Sequence, residues 1–109
     1  MATGRLGIAN ITTTADTTIY TVPSSTFSVV SVSICNRNTT TAATIRVAIC
    51  SSATPAAGEY IEYDTSLVAS GVVERTGLVM DAGKILVVTV SSATPTVSVV
   101  AMGIETSTA

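Results

Sequence analysis

The chain has 109 residues with 7 acidic and 5 basic side chains, a net charge of -2, and only 11% charged residues, where a soluble domain ordinarily carries about 25%. Histidine and tryptophan are absent and aromatic residues stop at 4%, which removes the usual general base and the commonest metal ligand. Five scattered basic residues make no patch for neutralising phosphates, so no nucleic acid partner is expected, and the apolar runs are too short to span a bilayer as a helix.

The apolar content is 47%, with 15 Val and 9 Ile beside 20 Thr and 13 Ser. β-Branched residues at that level need burial and argue against disorder. The start, Met1-Ala2-Thr3-Gly4-Arg5, has no apolar core behind it and does not read as a secretory signal. Residues 1–11 are polar and Gly-containing, yet carry Leu6, Ile8 and Ile11 at near-alternate positions. They are expected to form an N-terminal arm that adds to a sheet edge, its own or a neighbour's. Removing the first ten residues should then leave the fold intact.

Period-2 alternation dominates the rest. Thr18 to Val22 reads as a strand closed by Pro23 and Ser24-Ser25. In Thr26–Asn36, Val30, Val32 and Ile34 would face inward; Phe27 and Val29 fall out of that phase, which predicts a bulge near Val29-Val30. Ala43–Cys50 continues with Ile45, Val47 and Ile49 inward and Arg46, Ala48 and Cys50 outward. A polar loop, Ser51 to Gly58, precedes a short strand from Glu59 to Asp64. Strands follow at Val72 to Arg75 and at Leu78-Val79-Met80, then a tight Asp81-Ala82-Gly83 turn. Lys84 to Val90 is apolar on both faces, as a central strand covered from both sides would be. Thr96 to Ile104 completes the set, with a phase change at Val99-Val100, and 105–109 reads as a C-terminal tail. About eight short strands predict a single all-β domain over 1–109, an antiparallel β-sandwich of the jelly-roll or Ig-like kind. The segment Ser51-Ser52-Ala53-Thr54-Pro55 recurs as Ser91-Ser92-Ala93-Thr94-Pro95, which reflects shared turn chemistry and no repeat architecture.

If Thr26–Asn36 and Ala43–Cys50 paired as a hairpin, Cys35 would oppose Arg46 and Cys50 would oppose Ser31. The two cysteines would be offset by about four residues, roughly 13 Å, beyond the reach of about 7 Å between Cα atoms that a disulfide needs. Two free thiols are expected. Two cysteines also lack a third metal ligand, so no metal or cofactor is expected.

The acidic cluster Glu59-Tyr60-Ile61-Glu62-Tyr63-Asp64 would put Tyr60, Glu62 and Asp64 on one strand face. Such carboxylates could ligate Ca²⁺ or serve as an acid/base pair. Charges that guard an edge strand against unwanted pairing are the simpler reading. The serines have no histidine to activate them, and Lys84 is the only lysine. No active site is expected. Arg46 would face outward among small residues as an anchor for a partner carboxylate. The candidate assembly contacts are therefore Arg5, Leu6 and Ile8 in the arm and Arg46, Glu62 and Asp64 on the later strands.

Thr17-Thr18-Ile19-Tyr20-Thr21-Val22-Pro23 followed by Val32-Ser33-Ile34-Cys35-Asn36-Arg37-Asn38 resembles the "LYTVP…CNR" signature of small all-β virion structural proteins of tailed bacteriophages, marine and cyanobacterial phages among them. The segments Glu59 to Asp64, Val73 to Gly77 and Met80 to Lys84 fit the same template, so the resemblance runs from about Gly4 to Glu105. It implies a non-enzymatic virion protein, assembled in the host cytoplasm and carried on the particle. The expected role is a capsid decoration or cement subunit, a trimer or higher oligomer bound to copies of itself and to the major capsid protein. The alternative is a subunit of the tail, baseplate or tail fibre, one that touches a tail protein or the host surface.

Overall fold

The computed structural model describes residues 2–108; Met1 and Ala109, the outermost positions of the expected arm and tail, lie outside the described residues. Alternating β-branched and hydroxyl side chains suit a pleated, half-buried surface, and the described residues form eight strands. These are β1 (Thr3–Ile11), β2 (Thr17–Thr21), β3 (Thr26–Asn36), β4 (Ala43–Cys50), β5 (Tyr60–Leu67), β6 (Val72–Met80), β7 (Ile85–Ser91) and β8 (Val97–Ser107). They build two four-stranded antiparallel sheets, ordered β1-β8-β3-β6 and β2-β7-β4-β5. The first strand pairs with the eighth, the second with the seventh, the third with the sixth and the fourth with the fifth. The chain is thus one long hairpin, folded so that successive pairs alternate between sheets. That is the jelly-roll form of the β-sandwich.

Between the sheets lies a core of Val, Ile and Leu, including Val30, Val32, Ile34, Ile45, Val47 and Val88, each with no solvent exposure. β7 is central in the second sheet, as its two apolar faces require. Its outward Val87 forms a small separate cluster with Ala48 and Cys50 of β4, covered by Tyr60 and Ile85. The outward positions Ala48 and Cys50 are therefore buried, whereas Ile49 packs against the main core.

Several sequence expectations need correction. β3 and β4 do not form a hairpin, because they belong to opposite sheets. The polar stretch 37–42 crosses between them. Cys35 and Cys50 are free and lie on the outward sides of different sheets. Residues 3–11 take the first of the two placements expected of the arm, the edge of the chain's own sheet, and are integral to it. They form edge strand β1, hydrogen-bonded to β8, and Ile11 is in the core. Gly7 lets β1 close against β2, since a Cβ there would overlap the Ile19 carbonyl. Loss of the first ten residues would therefore remove a strand of the sheet. The tail from Glu105 is likewise strand as far as Ser107.

β3 is in phase throughout: Thr26 and Ser28 face inward with Val30, and no bulge falls at Val29-Val30. The irregularity lies on the partner, where Val30 pairs with Leu78 and Val32 with Arg75. The extra residue is accommodated at Gly77, whose φ of 69° is costly for any residue with a Cβ. Val72 to Arg75 and Leu78 to Met80 are consequently one strand. β8 shows no phase change at Val99-Val100 either; Val97, Val99 and Ala101 face inward, and Ser98, Val100 and Met102 outward.

Among the described residues, the polar side chains that enter the interior are all matched. Asn36, 1% exposed, donates to the carbonyls of Thr41, Leu67 and Val68 at 3.0, 3.2 and 3.3 Å and accepts the Asn38 N–H at 3.1 Å. It ties the β3–β4 crossing to the β5–β6 turn. At the opposite end, the Tyr20 hydroxyl donates to Glu105 Oε2 at 2.5 Å. Its single proton is thereby committed, so the Ser28 hydroxyl, 2.6 Å away, donates to Tyr20. Glu105 Oε1 also accepts the Ala2 N–H at 3.0 Å. This clamp joins β2 of one sheet to β3 and β8 of the other.

Replacing Asn36 with Ala removes the side-chain donor from the buried Leu67 contact and from the Thr41 carbonyl, while the Val68 carbonyl keeps the Gly71 N–H at 2.9 Å. The loss should cost about 1–3 kcal/mol of unfolding free energy in chemical denaturation, and Asn36→Asp, which cannot donate, should cost at least as much. The clamp gives a pH signature. Burial and the adjacent Glu105 push the Tyr20 hydroxyl up to about 12 from 10.0. A raised folded value stabilises below the unfolded pKa, and the contribution is lost as pH rises from about 10 to about 12. The Tyr20 hydrogen bond, then the Ala2 N–H, hold Glu105 below its ordinary 4.5. Its contribution is present above that value and lost as pH falls through the lowered one. Tyr20→Phe should lower stability at pH 7 by about 1–3 kcal/mol, abolish the alkaline loss and flatten the acid loss. Unchanged pH profiles would overturn the assignment.

Candidate assembly face

Directly paired residues in antiparallel strands share a face. The outward side of the first sheet can therefore be read row by row. One row runs Val79, Val29, Ile104, Thr3 across β6, β3, β8 and β1; another runs Glu74, Ser33, Val100, Ile8. Between them lie Ser31, Met102 and Arg5, and beyond them Val72, Cys35, Ser98 and Asn10. Phe27 stands at the end of β3 on the same side.

This face is unusually apolar and uncovered. The described large hydrophobic side chains with high exposure are eight, and six of them stand here: Ile8, Phe27, Val72, Val79, Met102 and Ile104. Val79 is 70% exposed. Val29 and Val100, half-buried, fill the spaces between them. A shallow hollow of about 300 Å³ beside Arg5, Ile8, Asn10, Ser98 and Val100 indents one side. The outward face of the second sheet differs: its small apolar cluster is roofed by Tyr60 and Ile85 of the same chain.

The candidate contacts separate accordingly. Arg5 and Ile8 stand on the apolar face, while Leu6 turns inward at a register shift in β1 and packs against the core. Arg46, Glu62 and Asp64 lie elsewhere and are engaged within the chain. β5 is an edge strand, as expected, but two register shifts break its alternation, and Asp64 takes a φ of 54°. Glu62 and Asp64 therefore do not share a face. Glu62 sits on the inward side of the open sandwich edge, where Arg75 reaches it from β6 at 2.7 Å and Thr65 donates to it at 2.6 Å. Asp64 takes the Arg46 guanidinium at 2.6 Å, and that pairing holds its carboxyl below the usual range. Arg46 also covers the Tyr63 ring, 4.0 Å from its centroid, and Tyr63 meets Tyr60 edge-on at 5.0 Å. Glu62 and Asp64 are thus held by different arginines on different faces of the strand. Among the described residues no three His, Cys, Asp or Glu side chains gather as metal ligands.

Most of the other charges are also used internally. Glu59 accepts the Ser51 and Ala56 N–H groups, which holds its carboxyl low and closes the 51–59 loop. Asp16 accepts from Thr89, Arg37 donates to Asn10, and Lys84 pairs with Asp81 at 3.4 Å. Among the described residues only Arg5 and Glu74 have neither ion pair nor hydrogen bond from their charged groups. Both stand on the apolar face, on its opposite edge strands.

Sequence reasoning missed most of this face: Val29, Val72, Val79, Val100, Met102, Ile104 and Glu74. The signal was present in two apparent breaks of phase, at Val29-Val30 and Val99-Val100. Each is an uninterrupted strand carrying an apolar residue outward. No family model, curated protein or solved structure matches the chain.

The two thiols offer a direct probe of these surfaces. Cys50 is fully buried under Tyr60, and burial pushes its thiol pKa up, which slows attack by the thiolate. Cys35 is half-buried on the open face. In the dilute folded protein a thiol reagent should label Cys35 and spare Cys50, and two thiols per chain should react after unfolding without reductant. Faster labelling of Cys50 would contradict the roofed second sheet.

Proposed function

We propose that the chain is a non-enzymatic structural subunit of a tailed-phage virion, a capsid decoration or cement protein that oligomerises on the particle. The observation that carries this reading is the uncovered apolar face of β1, β8, β3 and β6. Monomeric soluble domains seldom leave such a contiguous surface open unless it binds something. With 11% charged residues, almost all paired internally, little remains to keep free copies apart. The resemblance over about Gly4 to Glu105 supplies the phage context. Jelly rolls occur in viral capsid and lectin domains alike, so the fold agrees with the reading without assigning it.

The mechanism is mechanical. At about 25 cal/mol per Å², covering a few hundred Å² of apolar surface favours docking by several kcal/mol before association costs. Many copies on a lattice then hold avidly where a single one would exchange. The residues bearing the resemblance fit such a role. Tyr20 closes the clamp with Glu105, Asn36 ties two loops, and Arg37 reaches Asn10. All three serve the fold.

The test is the copy number of this chain per purified virion of the phage that encodes it, measured by quantitative mass spectrometry against the major capsid protein. Hundreds of copies are expected for decoration of the head. A handful, in threes or sixes, would move the subunit to the tail or baseplate, and absence from the particle would overturn both placements.

A further inference from the structure

We infer that the occupant of the apolar face is a second copy of the same chain, stacked face to face about a two-fold axis that runs parallel to the strands between β8 and β3. This rests on reading the face as an assembly surface. It adds the partner, the symmetry and the residues that set the register.

The charges select a second copy. Arg5 and Glu74, opposite in sign, are the described charged groups left unpartnered, and they stand on β1 and β6, the two edges of one sheet. A two-fold axis between the central strands β8 and β3 places each β1 opposite the partner's β6. Glu74 then lies in the row of the partner's Ile8, and the partner's Arg5 sits one row further along. Two residues of strand separate them, about 7 Å, which an arginine side chain spans. Two Arg5–Glu74 pairs form per dimer, one at each edge, and they flank the apolar rows.

The apolar rows fit the same operation. β8 stacks on the partner's β3, so Ile104 meets the partner's Val29, which occupies the same row. Val79, Met102 and Phe27 lose water at the same step. A face of four strands is about 19 Å wide and eight residues of β3 make it about 26 Å long. Two such faces bury on the order of 1,000 Å² or more, the lower bound for a specific protein interface. A sheet face that covers itself requires an isologous contact, which a two-fold axis supplies and a trimer does not.

Sedimentation velocity of the full chain from about 1 to about 200 µM, the range in which an interface of this small class dissociates, tests the pairing. The wild type should pass from monomer to dimer. Arg5→Glu and Glu74→Arg should each weaken the dimer about tenfold or more, because like charges then face each other at both edges. The double exchange R5E/E74R should restore it, since each edge again pairs opposite signs. Val79→Lys, at an exposed position, should weaken the dimer without lowering the melting temperature of the monomer. A wild type that stays monomeric, a trimer, single reversals without effect, or a double exchange that fails to recover would each overturn the pairing. A dimer found together with absence from the virion would instead leave the pairing standing and remove the phage reading.

Discussion

Stability in this chain rests on one contact, the closure of two sheets over a layer of β-branched side chains. Few other sources are available. The chain has no histidine, three tyrosines, one phenylalanine and free cysteines. Its ion pairs are largely exposed and contribute little to stability in water. Val30, Val32 and Ile34 from one sheet and Ile45, Val47 and Val88 from the other are fully buried. Two glycines let this layer close. Gly7 lets β1 approach β2, and Gly77 absorbs the extra residue of β6.

Two polar ties finish what the apolar layer begins. Asn36 sits where the chain leaves one sheet for the other, and it satisfies carbonyls from two different turns. The Tyr20–Ser28–Glu105 clamp sits at the far end, with a defined proton order from Ser28 to Tyr20 to Glu105. Buried groups of this kind are costly when unmatched and selective when matched. They therefore specify one jelly roll among the ways in which similar Val- and Thr-rich strands could be stacked.

The disposition of charge divides the surface by use. Around β5 the charges close on each other: Arg46 with Asp64, Arg75 with Glu62. This protects the edge strand and joins the sheets at their open side. On the outward face of the first sheet Arg5 and Glu74 are left open among apolar neighbours. An apolar field with one charge of each sign at opposite edges has the properties of a self-complementary surface. A surface so poor in charge offers little repulsion between copies, which suits the proposed assembly.

The sequence by itself determined the fold class, the extent of most strands and the inward residues of the core. Alternation reports which side chains share a face, and Thr26–Asn36 and Ala43–Cys50 emerged with the bounds found in the structure. It could not determine which strand pairs with which, because period-2 patterns in Val, Thr and Ser are nearly interchangeable between partners. Hence the expected β3–β4 hairpin and the placement of Glu62 and Asp64 on one face yielded to the tertiary structure, and of the two edges open to the N-terminal arm the structure chose the chain's own. Likewise Val29 and Val100 looked like errors of phase. Only the strand order shows that they are neighbours of Val79, Ile104 and Ile8 on a single open surface. Alternation is a local property of one strand, whereas a face is made by four strands brought together from distant parts of the chain.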